Sequence, residues 1–115
     1  MLMLASTVKV YLGIDAVDMR KSYNGLYAVV ANHLQANPLD GALYVFTNRH
    51  RNRLKILYCD GSGLWVFSKR LEKGTFSWPA GLDSKKKLKL SGDALALLLS
   101  GIDLKEGCRR PWYQS

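Results

Sequence analysis

The residues best suited to chemistry in this chain are basic ones, and they are concentrated in its middle. Among the 115 residues, 49–89 hold eleven Lys and Arg against three Asp and Glu, whereas 1–48 and 90–115 are each neutral. The segment 49–89 therefore carries the whole formal charge of +8. Charge that served only solubility would be scattered, so the pattern favours a surface that binds a polyanion such as a nucleic acid. A solvated basic face without a partner is the simpler alternative.

The densest basic stretch is 48–58, and its alternation predicts a β-strand with two different faces. The row buried under a helix would be Leu54, Ile56 and Tyr58. The row facing outward would be Arg53, Lys55 and Leu57. With Arg49 and Arg51 at the adjoining turn, this hairpin would form a ribbon with an arginine-rich tip. Such a ribbon has the width to enter a DNA major groove, where arginine binds phosphates and guanine edges bidentately.

Further basic side chains follow in the next strand and turn, and again in a lysine-rich connector over 80–90. We therefore predict a nucleic-acid-binding surface that contains Arg49, Arg51, Arg53, Lys55, Lys69, Arg70, Lys73, Lys85, Lys86 and Lys87. Contacts to about five phosphates would give a slope of log affinity against log salt of about −4 to −5. The structural alternative is a solvated hairpin whose charges protect the sheet from edge-to-edge association.

Aromatic side chains lie near the basic stretch, and most of them alternate in the manner of core residues. Trp65 and Phe67 are the exceptions to consider, because they would share one face of a strand with Lys69. If that face is open, the two rings could stack on the bases of a single strand. The amides of Asn48 and Asn52 could read adenine edges, although a turn also favours asparagine.

Groups for catalysis or metal binding are sparse. The chain has no HxxxH, HExxH or CxxC pair, and neither Cys59 nor Cys108 lies beside an obvious base. Asp15 and Asp18 form a carboxylate pair of the kind that a metal-dependent nuclease uses, but Asp18 is also placed to cap a helix. We therefore predict no enzymatic activity, no cofactor and no metal site, with a nuclease as the weakest alternative.

The first elements that would position these residues are a strand over 8–14 and a long helix over 19–36. The helix is predicted from apolar residues that recur every three or four positions, namely Met19, Tyr23, Leu26, Val30 and Leu34. Asp18 would cap its first turn, and the Asn37-Pro38 pair would prevent it from continuing.

The later elements are strands connected by short turns. They are predicted over 42–47, 53–59, 64–71 and 75–78. Short connections favour an antiparallel meander of three to four strands. Ser91 would cap a short C-terminal helix that packs on the sheet and ends near Gly101. The predicted fold class is therefore α+β, with one sheet and helices on it.

Length and composition predict a single domain over 1–115, globular over about 8–104, with a flexible tail over 105–115. The longest apolar run, 94–99, is far shorter than the ~20 residues needed to span a bilayer. The start of the chain does not resemble a secretory signal, and two cysteines do not make a disulfide scaffold. We expect a cytoplasmic protein that does not associate with membranes.

A series of spaced motifs extends over about 8–104. They are Asp18-Met19-Arg20-Lys21, Gly25-Leu26, Leu43-Tyr44-Val45-Phe46-Thr47-Asn48-Arg49, Arg53-Leu54-Lys55-Ile56-Leu57-Tyr58, Asp60-Gly61, Gly63-Leu64, Lys69-Arg70-Leu71-Glu72, Phe76, Trp78, Pro79 and Gly101-Ile102-Asp103. In this order they resemble the small accessory proteins of IS66-type insertion sequences, labelled TnpB or Orf2, which are distinct from the RNA-guided nucleases that share the label. Ser22 and Cys59 depart from that family's pattern, which usually has glycine and an aromatic residue there.

The resemblance implies a protein that is encoded beside a DDE-type transposase and is required for movement of the element. It implies no catalytic residue. We therefore expect a non-catalytic accessory protein that binds DNA, at element ends or at the target, through 49–55 with help from 69–73 and 85–89. The alternative is a protein-interaction module that docks on the transposase or on another element-encoded protein, with 18–21 as a second contact.

Overall fold

Five β-strands form one sheet flanked by two helices in the computed structural model, which describes residues 8–79 and 85–101. The strands are β1 Val10–Gly13, β2 Leu43–Thr47, β3 Arg53–Cys59, β4 Leu64–Arg70 and β5 Lys87–Leu90. The helices are α1, which comprises Tyr23–Ala28 and continues as a π-helical turn over Val29–His33, and α2, Gly92–Leu99.

The sheet is mixed, with the strand order β4-β3-β2-β1-β5. β1 and β2 are parallel and are connected through α1, whereas every other neighbouring pair is antiparallel. The strands β2, β3 and β4 form the antiparallel meander that the sequence predicts. The fold is thus α+β in its broad outline, but β5 was predicted as connector and joins the opposite edge of the sheet.

The segment 75–78 is not the fourth meander strand that we predicted. It crosses the sheet instead, and the N–H of Phe76 donates to the carbonyl of Arg51 at 2.6 Å. The indole Nε1 of Trp78 donates to the carbonyl of Gly13 at 2.9 Å. Both aromatic side chains are buried, so this segment fills the core where a strand was expected.

Both faces of the sheet are covered, so β3 does not have one buried face and one exposed face as predicted. Leu54 and Ile56 are buried as predicted, but their core lies on the α2 face. Leu57, which we placed on the outward row, is fully buried under α1. Because α1 covers that row, β3 presents no continuous row of arginines to solvent.

Helix α1 is shorter than predicted and begins at Tyr23. Asp18 does not cap it, since residue 22 is its N-cap position and Asp18 bonds within its own loop. The apolar stripe is confirmed in part, because Leu26 and Val30 are buried while Tyr23 is about half exposed. The helix ends early because Gln35 takes a left-handed conformation, with φ of 54°.

Helix α2 begins and ends as predicted. The hydroxyl of Ser91 accepts from the N–H of Ala94 at 3.0 Å, and Gly101 follows the helix with a positive φ of 77°. Among the described residues, no helix has the length and apolar character needed to cross a membrane. The predicted tail over 105–115 and Cys108 lie outside the described residues.

Candidate nucleic-acid interface

The strand directions bring the basic segments to one end of the sheet. Gly13 at the end of β1 pairs with Lys87 at the start of β5, and Arg53 at the start of β3 pairs with Arg70 at the end of β4. The parallel strands β1 and β2 also end there. We call this region the basic end and define it by residues 14–22, 48–55, 69–73 and 85–87.

All ten predicted binding residues lie at the basic end. Neighbouring strands are ~4.8 Å apart, so the distance across the sheet from β4 to β5 is ~19 Å. B-DNA has one phosphate per ~3.4 Å along each strand, and ~19 Å therefore corresponds to about six base pairs. The basic end is wide enough to contact several successive phosphates.

The loop 48–52 is held rigidly by an asparagine. The Oδ1 of Asn48 accepts from the backbone N–H groups of Asn52 and Arg53 at 3.1 and 3.2 Å, and its Nδ2 donates to Asn52 Oδ1 at 2.8 Å. The loop is also tied to the 71–76 segment by the N–H of Leu71, which donates to the carbonyl of Asn52. The two asparagine side chains are thus used in folding the loop, and their role is structural.

The expected free ribbon does not exist, because β3 lies between β2 and β4 in the sheet. The arginines are carried instead by a short loop at the sheet end. Arg51 has a positive φ of 59°, a conformation that costs an L-residue about 1–2 kcal/mol and that glycine adopts without strain. Such a position is where function can require a side chain that stability alone would not favour.

An open groove of about 650 Å³ runs between the loop 16–20 and the loop 48–53. A second groove of about 500 Å³ adjoins it over the ends of β3 and β4, and the two share Met19 and Arg53 in their linings. The basic side chains and the histidine that line them are Arg20, Arg49, His50, Arg53, Lys55, Lys69 and Arg70. The basic end is therefore concave between the two loops.

Arg20 is a groove residue that the sequence argument left out of the binding set. Its guanidinium is paired with Asp18, whose Oδ2 accepts from Nη2 at 2.7 Å and from Nε at 3.0 Å. These bonds, led by the side chain of Arg20, lower the pKa of Asp18 to about 2. The pair is neutral overall and fixes the shape of one groove wall. Because β1 and β2 are parallel, the loops that follow them lie at the same end of the sheet. Recognising this pairing from the sequence would have placed Arg20 beside loop 48–52.

Four of the ten predicted residues already have partners in the protein. The Nζ atoms of Lys55, Lys69 and Lys87 donate to the carbonyls of Lys21, Leu99 and Leu34. Lys87 also lies over the ring of Tyr11, and Arg70 pairs with Glu72. The other six have no side-chain hydrogen bond or ion pair within residues 8–79 and 85–101: Arg49, Arg51, Arg53, Lys73, Lys85 and Lys86. These six leave the basic end with uncompensated positive charge.

The two carboxylates considered for a nuclease are engaged elsewhere. Asp15 Oδ2 lies 2.8 Å from Nε2 of His33, and Asp18 is bonded to Arg20. Within the described part of the chain, no group of three or more His, Cys, Asp or Glu residues could hold a metal ion. Cys59 is buried there as a free thiol, consistent with a packing role.

A family model described as IS66 Orf2 like protein matches residues 8–109, nearly the whole chain. The chain belongs to the IS66 Orf2-like family. It is similar to y4hO of Sinorhizobium fredii (strain NBRC 101917 / NGR234), with 39% identity over 103 residues, 90% of this chain and 88% of that protein. It is similar also to y4jC of the same organism, with 35% identity over 104 residues, 90% of this chain and 87% of that protein. Both relatives are described as uncharacterized, and no solved structure matches.

Family membership makes this IS66 Orf2-like protein an accessory protein associated with insertion sequences. The segments that carry the family resemblance meet in space. Residues 18–20 of the first motif line one wall of the groove, and Asn48, Arg49 and Arg53 from the two later motifs line the other. In this IS66 Orf2-like protein, the groove is thus where motifs distant in sequence come together.

Proposed function

We propose that this protein is a non-catalytic accessory protein of insertion-sequence transposition that binds DNA through its basic end. The observation that carries the proposal is the gathering of six unpartnered cationic side chains at one end of the sheet, two of which, Arg49 and Arg53, line the groove. Loops that are far apart in sequence supply them, so the charge is built by the fold. Its place of action would be the bacterial cytoplasm, where element DNA is found.

The geometry suits contacts to the phosphate backbone. Because hydrogen bonds within the protein fix loop 48–52, binding would order little additional backbone, which reduces its entropic cost. Arg49, Arg51 and Arg53 present guanidinium forks that match phosphate oxygens. No base-reading group is required for such contacts, since phosphate contacts position a protein on DNA without specifying sequence.

The test is fluorescence anisotropy with a duplex at several salt concentrations. Contacts to about five phosphates predict a slope of log affinity against log salt of about −4 to −5. The double variant Arg49→Gln/Arg53→Gln is expected to reduce the size of the slope by about 2, since each phosphate contact contributes about 0.9. The matched control is Lys9→Gln, which removes an exposed charge at the opposite end of the sheet and should leave the slope unchanged. Absence of binding at low salt would reject the proposal.

A protein-interaction module is the second candidate, and the Asp18–Arg20 pair favours it. The pair is exposed and internally neutralised, so it offers a fixed shape more than a free charge. A transposase or another element-encoded protein with an acidic surface would be the partner. Co-purification that survives nuclease treatment and is lost in Asp18→Ala would support this candidate. Association that disappears after nuclease treatment would return the role to DNA.

A further inference from the structure

The β4 strand carries an exposed pair of aromatic rings away from the groove. Trp65 is 51% exposed although it is a large apolar side chain. Its ring lies nearly parallel to that of Phe67, with an interplanar angle of 5° and ring centroids 5.7 Å apart. Phe67 packs partly on the α2-side core, which supports the pair from below. The two rings stack face to face, and Trp65 is the half-exposed member of the pair.

The orientation of Trp65 is fixed by a hydrogen bond. Its Nε1 donates to Oδ2 of Asp60 at 2.7 Å, and Oδ1 of Asp60 accepts from the backbone N–H groups of Ser62 and Gly63. The polar edge of the indole is therefore satisfied within the protein. What Trp65 offers to a partner is the face of its ring.

Positive charge continues along the strand from this aromatic pair. Lys69 lies on the same face, two residues beyond Phe67, and Arg70 and the basic end follow. The Nζ of Lys69 donates one hydrogen bond, to Leu99, and an ammonium group has three N–H donors. In the part of the chain that the structure describes, β4 pairs with β3 alone, so the strand lies at the sheet edge.

We infer that Trp65 and Phe67 form a stacking platform for an unpaired base in a single-stranded segment that adjoins the DNA bound at the basic end. This inference rests on the proposed function. Stacking uses the flat face that every base has, so it needs no further polar group from the protein. Aromatic residues on the open face of a sheet bind bases in this way, and the flanking cations complement the phosphates. An acidic protein segment would match the positive charge. It would not explain why two stacked aromatic rings are presented with the indole N–H already bonded to Asp60.

The experiment compares three DNA ligands of equal length: a duplex, a duplex with a single-stranded overhang, and a single strand. Trp65→Leu is expected to lower affinity for the overhang and the single strand about ten-fold, the size of one stacked base. Its affinity for the blunt duplex should stay within about two-fold, and Trp65→Phe should keep most of the overhang affinity because the ring is retained. Tyr23→Leu is the matched control, since Tyr23 is 49% exposed but lies on α1.

A second readout does not depend on the stability of the leucine variant. Stacking of a base on the indole should quench tryptophan fluorescence when the single strand binds wild-type protein. Trp65→Phe, which keeps an aromatic ring but removes the indole, should lose that quenching. Quenching that persists in Trp65→Phe would overturn the inference.

The remaining outcomes separate the inference from the proposed function. Unchanged overhang affinity in Trp65→Leu, with normal duplex binding, rejects the platform and leaves duplex binding in place. Single-strand binding that depends on Trp65, without duplex binding, supports the platform and rejects the duplex role. If Trp65→Leu changes only co-purification with an element-encoded protein, the surface is a protein contact. Wild-type protein that binds none of the three ligands overturns both.

Discussion

The two turns that flank β3 are closed by the same chemistry but carry opposite charge. In loop 48–52, Oδ1 of Asn48 accepts from two backbone N–H groups that follow it. In turn 60–63, Oδ1 of Asp60 does the same for Ser62 and Gly63. A neutral amide thus closes the turn at the basic end, whereas a carboxylate closes the turn at the opposite end.

The difference shows how turn chemistry can be separated from surface charge. Asparagine and aspartate both accept backbone hydrogen bonds in tight turns. A carboxylate at 48 would neutralise part of the charge beside Arg49 and Arg53, whereas the amide closes the loop and leaves that charge intact. At the other turn no basic residue lies within 60–63, and the carboxylate also accepts from Trp65.

Exchanging the side chains that close the two turns should remove this difference in charge. Among substitutions in the two turns, we expect it to change duplex affinity the most. Asn48→Asp is expected to lower duplex affinity several-fold and to reduce the size of the salt slope by about 1, because one phosphate contact is offset. Asp60→Asn should leave duplex affinity unchanged. Anisotropy titrations of both variants against wild type measure the difference. Equal losses in the two variants would show that charge placement is not what distinguishes the turns.

Each of the two turns also contains one residue with a left-handed backbone conformation, and substitutions at these residues are expected to have smaller effects. Arg51 has φ of 59°, and Gly61 in the other turn has φ of 97°. Arg51→Gly should relieve strain and raise the free energy of unfolding by up to about 1 kcal/mol, after the entropic cost of glycine. Gly61→Ala should lower it by about 1–2 kcal/mol.

Urea unfolding measures both changes, and anisotropy supplies the functional half of the test. Arg51→Gly should weaken duplex binding while it stabilises the protein, whereas Gly61→Ala should do neither. A stabilised Arg51→Gly protein with unchanged affinity would mean that the strained arginine does not contact DNA.

The smallest expected effect is the part of the pH dependence of stability that comes from Asp60. Hydrogen bonds from the Trp65 indole, first, and from Ser62 and Gly63 hold the pKa of Asp60 well below its ordinary value. The pKa is lower in the folded state, so this contribution is present above pH ~4 and is lost as pH falls through the folded value. Thermal unfolding of wild type and Asp60→Asn from pH 7 to 2 should show the two midpoints converging at low pH. A constant difference would contradict this origin.

The spacing of residues in the sequence predicted the secondary structure correctly where local and tertiary preferences agree. The strand β3, Arg53–Cys59, has the predicted bounds, and Ser91 caps α2 because a hydroxyl before an apolar helix satisfies orphan N–H groups. It failed at α1, where Met19 continued the helical spacing but packs on the α1-side core from a loop. It failed also at β5, where lysines masked the alternation of Leu88 and Leu90 that pairs with β1.

The sequence by itself pointed to the family through its series of spaced motifs. It also determined the basic character of 49–89 and the three strands β2, β3 and β4, because these depend on local composition and short-range periodicity. Only the tertiary structure decided that 85–87 lie at the same end of the sheet as loop 48–52. It also decided that Arg20 faces that loop and that α1 covers the row of Lys55. The physical reason is that strand order and direction are set by long-range pairing and by burial of both sheet faces, which no local pattern encodes.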